Sequence, residues 1–370
     1  LAMHKRNRFL VHLDEDQGWR FEVRKYPRLT TVGATRAETV FVPGSPGDGT
    51  PHGGFYTQDQ LRALNAYAKR RGVTIVPEID VAAYPEFGEG AEGAEVPTGP
   101  GVFEEVLHLS DETMAMVEDV FTELLDVFDS PWIHIGGDEC PTAQWERSDD
   151  AARLVRERGL AGVEGLQPWF TEHLRDWLAQ RGRTAVGWDE IVDHGDMPGA
   201  VVMSWHGREP GRRALAAGNQ VVMASNVPYY FDYYQSDSPD EPFAQPAPSS
   251  WQDVASFDPV AGVADEHLPN LLGIQGQVWT EFMTTPAEVE YMAFPRTCVL
   301  AEVAWSGPVE PSELEPRLRA HLRRLEAAGV NHRPLEGPHP WQRGGEGRRR
   351  RPDGHGPALT AAQIADLANY

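Results

Sequence analysis

The sequence predicts an α/β fold of the (β/α)8 class, the TIM barrel. Apolar, β-branched segments alternate with amphipathic segments along the chain, which is typical of parallel strands joined by helices. Polar and aromatic residues follow the predicted strands, as they do at the carboxyl face of a barrel. Seven strands are recognisable, so we expect one strand of the barrel to be absent from this chain.

The predicted strands are short apolar runs. NRFLVHL is the first, VTIVPEID runs directly into acid, and WIHIGG is followed by two acids. The seven predicted strands cover residues 7–13, 73–80, 132–137, 184–189, 200–205, 220–225 and 272–279.

Helices are predicted from apolar residues at helical spacing. In residues 58–71, Leu61, Leu64 and Ala68 share one face, and Gly72 is the stop signal. Further helices are predicted over residues 111–128, 164–181, 286–304 and 312–328. The alternative is an open doubly wound sheet, which should carry a Gly-rich phosphate turn after an early strand. The sequence has no such G-x-G-x-x-G turn.

We predict a catalytic barrel domain over residues 1–335 and a C-terminal segment over residues 336–370. The C-terminal segment carries RGGEGRRRRPDGHG, a basic, Gly-rich run. Such runs can bind nucleic acid or act as targeting signals. The favoured interpretation is a solvated tail on an acidic protein.

Composition excludes several classes of protein. The 370 residues include 33 Lys and Arg against 56 Asp and Glu, a net charge of −23, so general nucleic-acid binding is not expected. Two cysteines cannot form a disulfide framework and lack the clustering of a zinc site. No run of ~20 apolar residues predicts a membrane span, and the basic N-terminus lacks the apolar core of a signal peptide. We expect a soluble protein without membrane association, cytoplasmic or secreted.

Acidic and aromatic side chains recur at the ends of the predicted strands. One acid there is ordinarily a helix cap, but repetition at most strand ends indicates a site. The residues concerned are Glu15, Asp16, Asp80, Asp138, Glu139, Asp189, Glu190, Trp205, His206, Trp279 and Glu281.

The pair Asp138–Glu139 is the sharpest signal. Gly136 and Gly137 precede it, so the backbone can turn tightly and present both carboxylates to one cavity. Close carboxylates raise one pKa, which suits a general acid. The alternative is an N-cap for a helix near Thr142.

Trp188, Trp205 and Trp279 fall at or near strand ends. An indole packs on the C–H face of a sugar ring, while surrounding carboxylates accept its hydroxyls, so this combination predicts a sugar pocket. The alternative is that each tryptophan caps the barrel core.

Taken together, these motifs resemble glycoside hydrolase family 20, the β-N-acetylhexosaminidases. HIGGDE at residues 134–139 is similar to the family signature, and the similarity extends in order over roughly residues 3–345. The other matching motifs are HLDEDQGWR at 12–20, PEID at 77–80, GWDE at 187–190, Ser204-Trp205, Tyr230-Phe231-Asp232, QVWTE at 277–281 and YMAFPRTCVLAEVAW at 291–305.

The resemblance implies exo-hydrolysis of terminal β-linked N-acetylglucosamine or N-acetylgalactosamine by a substrate-assisted, retaining mechanism. Glu139 would be the general acid and then the base. Asp138 would orient the 2-acetamido group, whose oxygen attacks the anomeric carbon to form an oxazolinium ion. Tyr230 would donate a hydrogen bond to that oxygen.

The remaining roles are also implied by the resemblance. Trp188, Trp205 and Trp279 would wall the pocket. Asp232 and Glu281 would accept hydrogen bonds from sugar hydroxyls.

An acidic group behind the acid is implied as well. Glu15, Asp16 and Asp80 would tune Glu139. His134 lies beside the acid pair, although strand alternation favours a buried histidine that points away from the pocket.

The chain departs from the family pattern at three places. The resemblance implies that the opening strand with its sugar-binding arginine, and the small domain that often precedes the barrel, are not part of this sequence. After PEID the family usually continues with a PGH segment, whereas Asp80 here runs directly into VAAYP, which is similar to a stretch further on in the family, so we expect a short deletion after Asp80 rather than a substitution. A carbohydrate-binding pseudoenzyme or inactive fragment of the family therefore stays open.

A metal-dependent barrel hydrolase is the other alternative, since carboxylates suit Mg or Mn. The sequence lacks paired histidines of the H-x-x-x-H kind, so no metal and no cofactor are expected. The expected ligands are neutral N-acetylated amino-sugar glycans or chitooligosaccharides, because an acidic protein repels polyanions.

Overall fold

The structure, a computed structural model, describes residues 1–40, 46–80, 96–99, 106–238 and 240–339. The chain divides into two compact units, Leu1–Val202 and Met203–Tyr370. The residues that follow Asp80, where the short deletion is predicted, and the basic run at 343–356 lie outside the described residues. The predicted domain boundary at 335 stays a prediction.

Seven principal strands confirm the seven that the sequence predicts. They are β1 Arg8–His12, β2 Thr74–Glu78, β3 Trp132–His134, β4 Thr184–Trp188, β5 Val201–Ser204, β6 Gln220–Met223 and β7 Leu271–Ile274. The last differs most from its predicted range of 272–279. In the described residues that follow Ile274, the strand pairing ends, and Gln277 forms an isolated β-bridge with Tyr230.

In the first unit, β1, β2, β3 and β4 pair in parallel and in chain order. Glu78 is in register with His134, and His134 with Val186. An open doubly wound sheet would reverse its strand order at a switch point, and these strands show no reversal. Their carboxyl ends therefore lie along one edge, where the predicted acids follow.

The helices have defined ends. Thr57 caps the first of them in a reciprocal capping box with Gln60, and Ser110 caps the second. The first unit contains α1 Gln58–Lys69, α2 Asp111–Val127, α3 Asp149–Arg158 and α4 Leu166–Ala179. The second contains α5 Glu209–Ala216, α6 Trp251–Ser256, α7 Pro286–Ala293, α8 Arg296–Ser306 and α9 Pro311–Ala327.

Two differences from the predicted helices have clear reasons. The single helix predicted over residues 286–304 is divided into α7 and α8, because Phe294 precedes a proline and is extended. Helix α3 was not predicted, because only Ala151 and Leu154 of its residues are buried and the rest is largely charged.

Several short elements complete the described chain. The 3-10 helices are Ala2–His4, Val163–Gly165, Asp189–Val192 and Asp265–Asn270, and the one-turn helices are Arg28–Thr31, Ala143–Glu146 and Asn226–Tyr229. The paired short strands are Asp14–Glu15 with Gly18–Trp19, Thr35–Arg36 with His52–Gly53, and Tyr233–Tyr234 with Gln245–Pro248.

The first unit's core lies between its strands and helices. Ile75 and Ile133 of the sheet belong to the same buried cluster as Phe121 of α2 and Leu174 of α4. Burying each such side chain contributes about 1.5–3 kcal/mol. In the second unit, a separate cluster joins the loop after β6 to α6, α8 and α9. No helix among the described residues is both long and apolar enough to cross a membrane.

Candidate active site

The acid turn, Gly136–Glu139, follows β3. Gly136 and Gly137 have φ of 67° and 105°, and Glu139 has φ of 49°. A Cβ at Gly136 would lie 1.9 Å from Oδ1 of Asp80, so only glycine fits there. A non-glycine residue in the left-handed region is uncommon and costs about 1–3 kcal/mol, and such strain is typical of functional sites.

Neighbouring groups hold the turn in this conformation. The Gly137 N–H donates to Oδ1 of Asp80 over 3.2 Å, and Gln167 donates its side-chain N–H to the Gly137 carbonyl over 2.6 Å. The Trp188 N–H donates to the carbonyl of Gly136 over 3.1 Å. Asp80 therefore lies next to the acid turn and helps to hold its backbone in place.

The two acids differ in environment. Glu139 is exposed, whereas Oδ1 of Asp138 is buried and has no hydrogen-bond partner among the described residues. Burial raises the pKa of Asp138 well above its ordinary value, and the carboxylates of Asp80 and Glu190 add to the effect. Burial raises the pKa of the neighbouring Cys140 thiol to about 12, which disfavours its nucleophilic thiolate form at neutral pH.

The capping alternative for the acid pair is wrong. The helix that follows is the single turn Ala143–Glu146, its N-cap is Thr142, and no side chain caps it. The turn's carboxylates are therefore not used as helix caps.

Behind the turn lies a buried network that sequence reasoning missed. Its centre is Glu78, at the end of β2, with a fully buried side chain. Oε1 of Glu78 lies 2.9 Å from Nδ1 of His134 and accepts the indole N–H of Trp188 over 2.8 Å. Oε2 lies 2.8 Å from Nδ1 of His12, whose Nε2 lies 2.9 Å from Glu15.

The charges in this network are mutually stabilised. Burial alone would raise the pKa of Glu78, but His134 and His12 outweigh it and hold that pKa well below its usual range. Burial likewise favours neutral His12, yet Glu78 and Glu15 raise the pKa of His12 well above its ordinary value. The network therefore holds an ionised Glu78 beside a protonated His12.

The structure places the other predicted acids of this group at the same strand ends. Asp16 and Asp80 are 5% and 6% exposed, and Glu15 is exposed. Asp14, which was not predicted, accepts the Asp80 N–H over 3.0 Å. Burial raises the pKa of Asp14 well above its usual value.

Trp188 and His134 pack edge-on, with ring centroids 4.9 Å apart. His134 is fully buried, as strand alternation predicted, and bonds Glu78 rather than facing solvent. Trp188 is 1% exposed, and its contact with substrate stays a prediction. The signal for Glu78 was present: in PEID it lies two residues before Asp80, on the same face of the strand.

The second unit contains the aromatic group Trp205, Tyr230, Tyr233 and Trp279. Trp205 stacks on Tyr230 at 6.2 Å between centroids and 17° between planes. Trp279 and Tyr233 meet Tyr230 edge-on, at 6.1 and 5.8 Å. Such geometries contribute about 0.5–1.5 kcal/mol per pair beyond area burial. Three of the four residues were predicted for the sugar pocket, and the structure brings these three together.

Asp232 lies beside this group and is 3% exposed, with Oδ1 lacking a partner among the described residues. Burial raises the pKa of Asp232 well above its ordinary value, and Glu281 raises it further. Glu281 itself is exposed. A buried carboxylate oxygen of this kind can accept a hydrogen bond from a hydroxyl of a bound ligand.

Arg296, the first residue of α8, is a second residue that sequence reasoning missed. Its fully buried guanidinium donates to the carbonyls of Phe231, Tyr233, Ser249 and Met292. Burial lowers its pKa to about 9. It clamps the backbone that carries Tyr230 and Asp232. The signal was weak, because an arginine in an otherwise apolar helix is ordinarily a surface residue.

These features define a class of protein. Parallel strands in chain order carry an acidic turn with an exposed acid, and further along the chain indoles gather around a tyrosine. Such residues suit protonation of a leaving oxygen and binding of a sugar ring. The class is an α/β protein of parallel strands whose strand ends carry residues suited to a carbohydrate site.

Comparisons with known proteins make the class specific. Residues 1–308 match the family described as glycosyl hydrolase family 20, catalytic domain. A β-hexosaminidase of Porphyromonas gingivalis is 36% identical over 361 residues, which cover 93% of this chain and 45% of that protein. A β-hexosaminidase of Akkermansia muciniphila is 31% identical, covering 83% and 63%. The chain belongs to glycoside hydrolase family 20.

A solved structure supports the fold. The family 20 exo-β-N-acetylglucosaminidase from Vibrio harveyi, in complex with N-acetylglucosamine, matches with a TM-score of 0.79 and 29% identity, over 90% of this chain and 55% of that one. This confirms the predicted TIM-barrel class. The chain spans about half the length of the curated relatives that it matches.

Proposed function

We propose that the chain is an exo-β-N-acetylhexosaminidase that uses the substrate's own 2-acetamido group as nucleophile. The observation that carries the proposal is the acid turn, where a strained, exposed Glu139 adjoins an Asp138 whose buried oxygen has no partner. Family membership supports the same reaction, since relatives in this family are named β-hexosaminidases.

The first step forms an oxazolinium ion. Asp138 accepts the acetamido N–H on its unpartnered oxygen and so orients the acetamido oxygen toward the anomeric carbon. That oxygen bonds the carbon while Glu139 gives its proton to the glycosidic oxygen, whose bond to the carbon breaks. The aglycone leaves as an alcohol, and ionised Asp138 stabilises the positive charge that develops.

The second step restores the enzyme. Glu139, now ionised, takes a proton from water as the water oxygen attacks the anomeric carbon from the face that the aglycone left. The oxazolinium ring opens and the acetamido group is regenerated. Two inversions at one carbon give net retention of configuration.

The second unit's predicted residues supply sugar contacts in this proposal. Trp188, Trp205 and Trp279 are the indoles proposed to contact the sugar and its acetamido methyl group, and Tyr230 is the proposed donor to the acetamido oxygen. Asp232 and Glu281 accept hydrogen bonds from sugar hydroxyls. An indole with its apolar face and carboxylate oxygens nearby meets both needs of a sugar.

The proposed substrates are terminal, neutral N-acetylamino sugars on glycans or chitooligosaccharides. The net charge of −23 disfavours polyanionic chains. The N-acetylglucosamine bound in the Vibrio harveyi enzyme is the ligand type that the proposal requires.

The test is hydrolysis of 4-nitrophenyl N-acetyl-β-glucosaminide by this chain, beside the matched glucoside that lacks the acetamido group. Release from the first alone supports the proposal. Comparable release from both contradicts substrate assistance and indicates an enzymatic nucleophile. Release from neither by folded protein that binds an oxazoline-mimicking thiazoline indicates a binding protein and contradicts turnover.

A further inference from the structure

One buried carboxylate joins three strands behind the acid turn. Oε1 of Glu78 accepts the indole N–H of Trp188 of β4 over 2.8 Å and lies 2.9 Å from Nδ1 of His134 of β3, while Oε2 lies 2.8 Å from Nδ1 of His12 of β1. Glu78 itself ends β2. These four residues, from four neighbouring strands, are the Glu78 network.

The network is built so that its proton positions are determined. Nδ1 of His134 lies 2.9 Å from Oε1 of Glu78 and 3.2 Å from the amide nitrogen of Gly136. The Gly136 N–H is directed at the same Nδ1 atom, but the contact with Glu78 is shorter and is made to an ionised group, so we assign the Nδ1 hydrogen to the contact with Glu78. With this assignment, Oε1 accepts the indole N–H of Trp188 and the Nδ1–H of His134.

Both donors lead directly to the reacting residues. His134 ends β3, and only Ile135 separates it from the acid turn. Trp188 donates its indole N–H to Glu78 and its backbone N–H to Gly136, inside the acid turn. A shift of Glu78 would therefore move the turn and the indole together.

We propose that Glu78 is a positioning residue, whose single buried carboxylate holds Trp188 and the acid turn in one arrangement while His12 balances its charge. The inference rests on the proposed function and goes beyond it, because Glu78 lies behind the reacting residues. Misplacement of reacting groups by an ångström can cost about 100-fold in rate.

The charge balance makes the arrangement depend on His12. An ionised carboxylate with 0% exposure is stable only with a protonated partner or several donors. The groups that face His12 are Glu15 and Asp14 beyond its own strand and Glu78 of β2, while His134 of β3 acts on Glu78 and Asp80 acts on Asp14. Of these groups, Glu78 and Glu15 raise the pKa of His12 and so favour the proton on its ring.

The main test is Glu78→Gln in the full chain. The amide oxygen still accepts from Trp188 and His134, but the amide nitrogen donates to His12, which then becomes neutral. We expect kcat to fall about tenfold or more with KM changed less than twofold. We also expect the affinity for the thiazoline inhibitor to fall about tenfold while affinity for N-acetylglucosamine is kept. A change of packing alone would not separate these two ligands.

A titration of the histidine ring signals by NMR tests the network without turnover. In Glu78→Gln the titration midpoint of His12 should fall, because its largest favourable partner is gone. If the parent chain hydrolyses nothing, the proposed function fails, and this titration still decides whether Glu78 controls His12. An unchanged midpoint overturns the inference.

Two further variants keep the test decisive if Glu78→Gln does not fold. His12→Asn keeps an N–H toward Glu78 and removes the charge, and it should lower thiazoline affinity in the same way. Trp188→Phe deletes one donor, and Trp177→Phe is its control, because the buried Nε1 of Trp177 has no hydrogen-bond partner within the described part of the chain. Equal thiazoline affinity in the parent, His12→Asn and Trp188→Phe overturns the inference.

A double-mutant cycle separates the network from direct substrate contact. If Trp188 acts through Glu78, the losses from Trp188→Phe and Glu78→Gln in thiazoline binding are not additive. Additive losses would show that Trp188 acts independently, and the proposed link would be wrong.

Discussion

The acid turn and the aromatic group are held in place by opposite means. Around the acid turn, strained backbone is supported by glycines, by Asp80 and by the ionised Glu78 network. Around Tyr230, rings pack on one another, and the guanidinium of Arg296 binds four backbone carbonyls from behind. One region depends on side-chain charge, and the other depends on shape and a backbone clamp.

The difference indicates how each region should respond to mutation. Where charges hold the geometry, substitutions should change rate and pH dependence before they change stability. Where rings and a clamp hold it, substitutions should change binding or unfolding free energy first. Substitutions in both regions test this difference.

The largest effect is expected for Glu139→Gln. An amide cannot give a proton to the glycosidic oxygen, so kcat/KM on chitobiose should fall about 1,000-fold. The matched control is Glu146→Gln, an exposed acid on the following helical turn. Steady-state kinetics on both variants would check this, and a loss below tenfold for Glu139→Gln would remove it as the acid.

Asp138→Asn should lower kcat about 100-fold, because the acetamido group loses the anion that stabilises the oxazolinium charge. The pKa of Asp138 is raised, so its ionised form is reached only at higher pH than for an ordinary aspartate. In the parent, kcat/KM should rise with pH through that pKa. If kcat/KM of Asp138→Asn still rises with pH over the same range, that rise comes from the titration of another group.

Tyr230→Phe tests the aromatic group. The ring and its stacking on Trp205 are kept, but the proposed donor to the acetamido oxygen is lost. We expect kcat to fall about 30-fold, which is less than the loss of about 100- to 1,000-fold typical for one oxyanion donor. The melting temperature, measured in parallel, should stay close to that of the parent. A fall in melting temperature without loss of kcat would give Tyr230 a packing role only.

Arg296→Lys should destabilise the protein by about 2–3 kcal/mol, because one ammonium cannot replace a guanidinium that binds four carbonyls. The control is Arg317→Lys, whose exposed pair with Glu302 should contribute less than about 1 kcal/mol. Urea unfolding of both variants measures the difference. Equal stabilities would show that the clamp is dispensable.

The smallest effect is expected for Asp232→Asn, and it is stabilising. The folded pKa of Asp232 is raised, so its favourable protonated state is fully present below the unfolded pKa of about 3.9 and is lost as pH rises through the folded value. At pH 7 the asparagine variant should therefore be more stable by about 1 kcal/mol. Urea unfolding of the parent and Asp232→Asn at pH 7 and pH 4 measures the difference in unfolding free energy. If Asp232→Asn is less stable than the parent at pH 7, the Asp232 carboxylate is favourably paired and the prediction is wrong.

Much of this architecture follows from local sequence. Short apolar, β-branched runs predicted seven strands, and the structure has a strand within or overlapping each of them. Gly136 and Gly137 predicted the tight turn, which their positive φ values confirm. These features depend on neighbouring residues alone, through burial pattern and backbone sterics, so a sequence displays them directly.

The Glu78 network and the Arg296 clamp needed the tertiary structure. His12 and Glu78 are 66 residues apart, as their numbers show, and Glu78 meets Trp188 from a further 110 residues along the chain. A buried charge is stable only when its partners converge in space, and no local pattern specifies which distant histidine or carbonyl will do so. The sequence determined where acids and rings occur along the strands; packing decided which of them lie behind the reacting groups and which are left with an unpartnered oxygen.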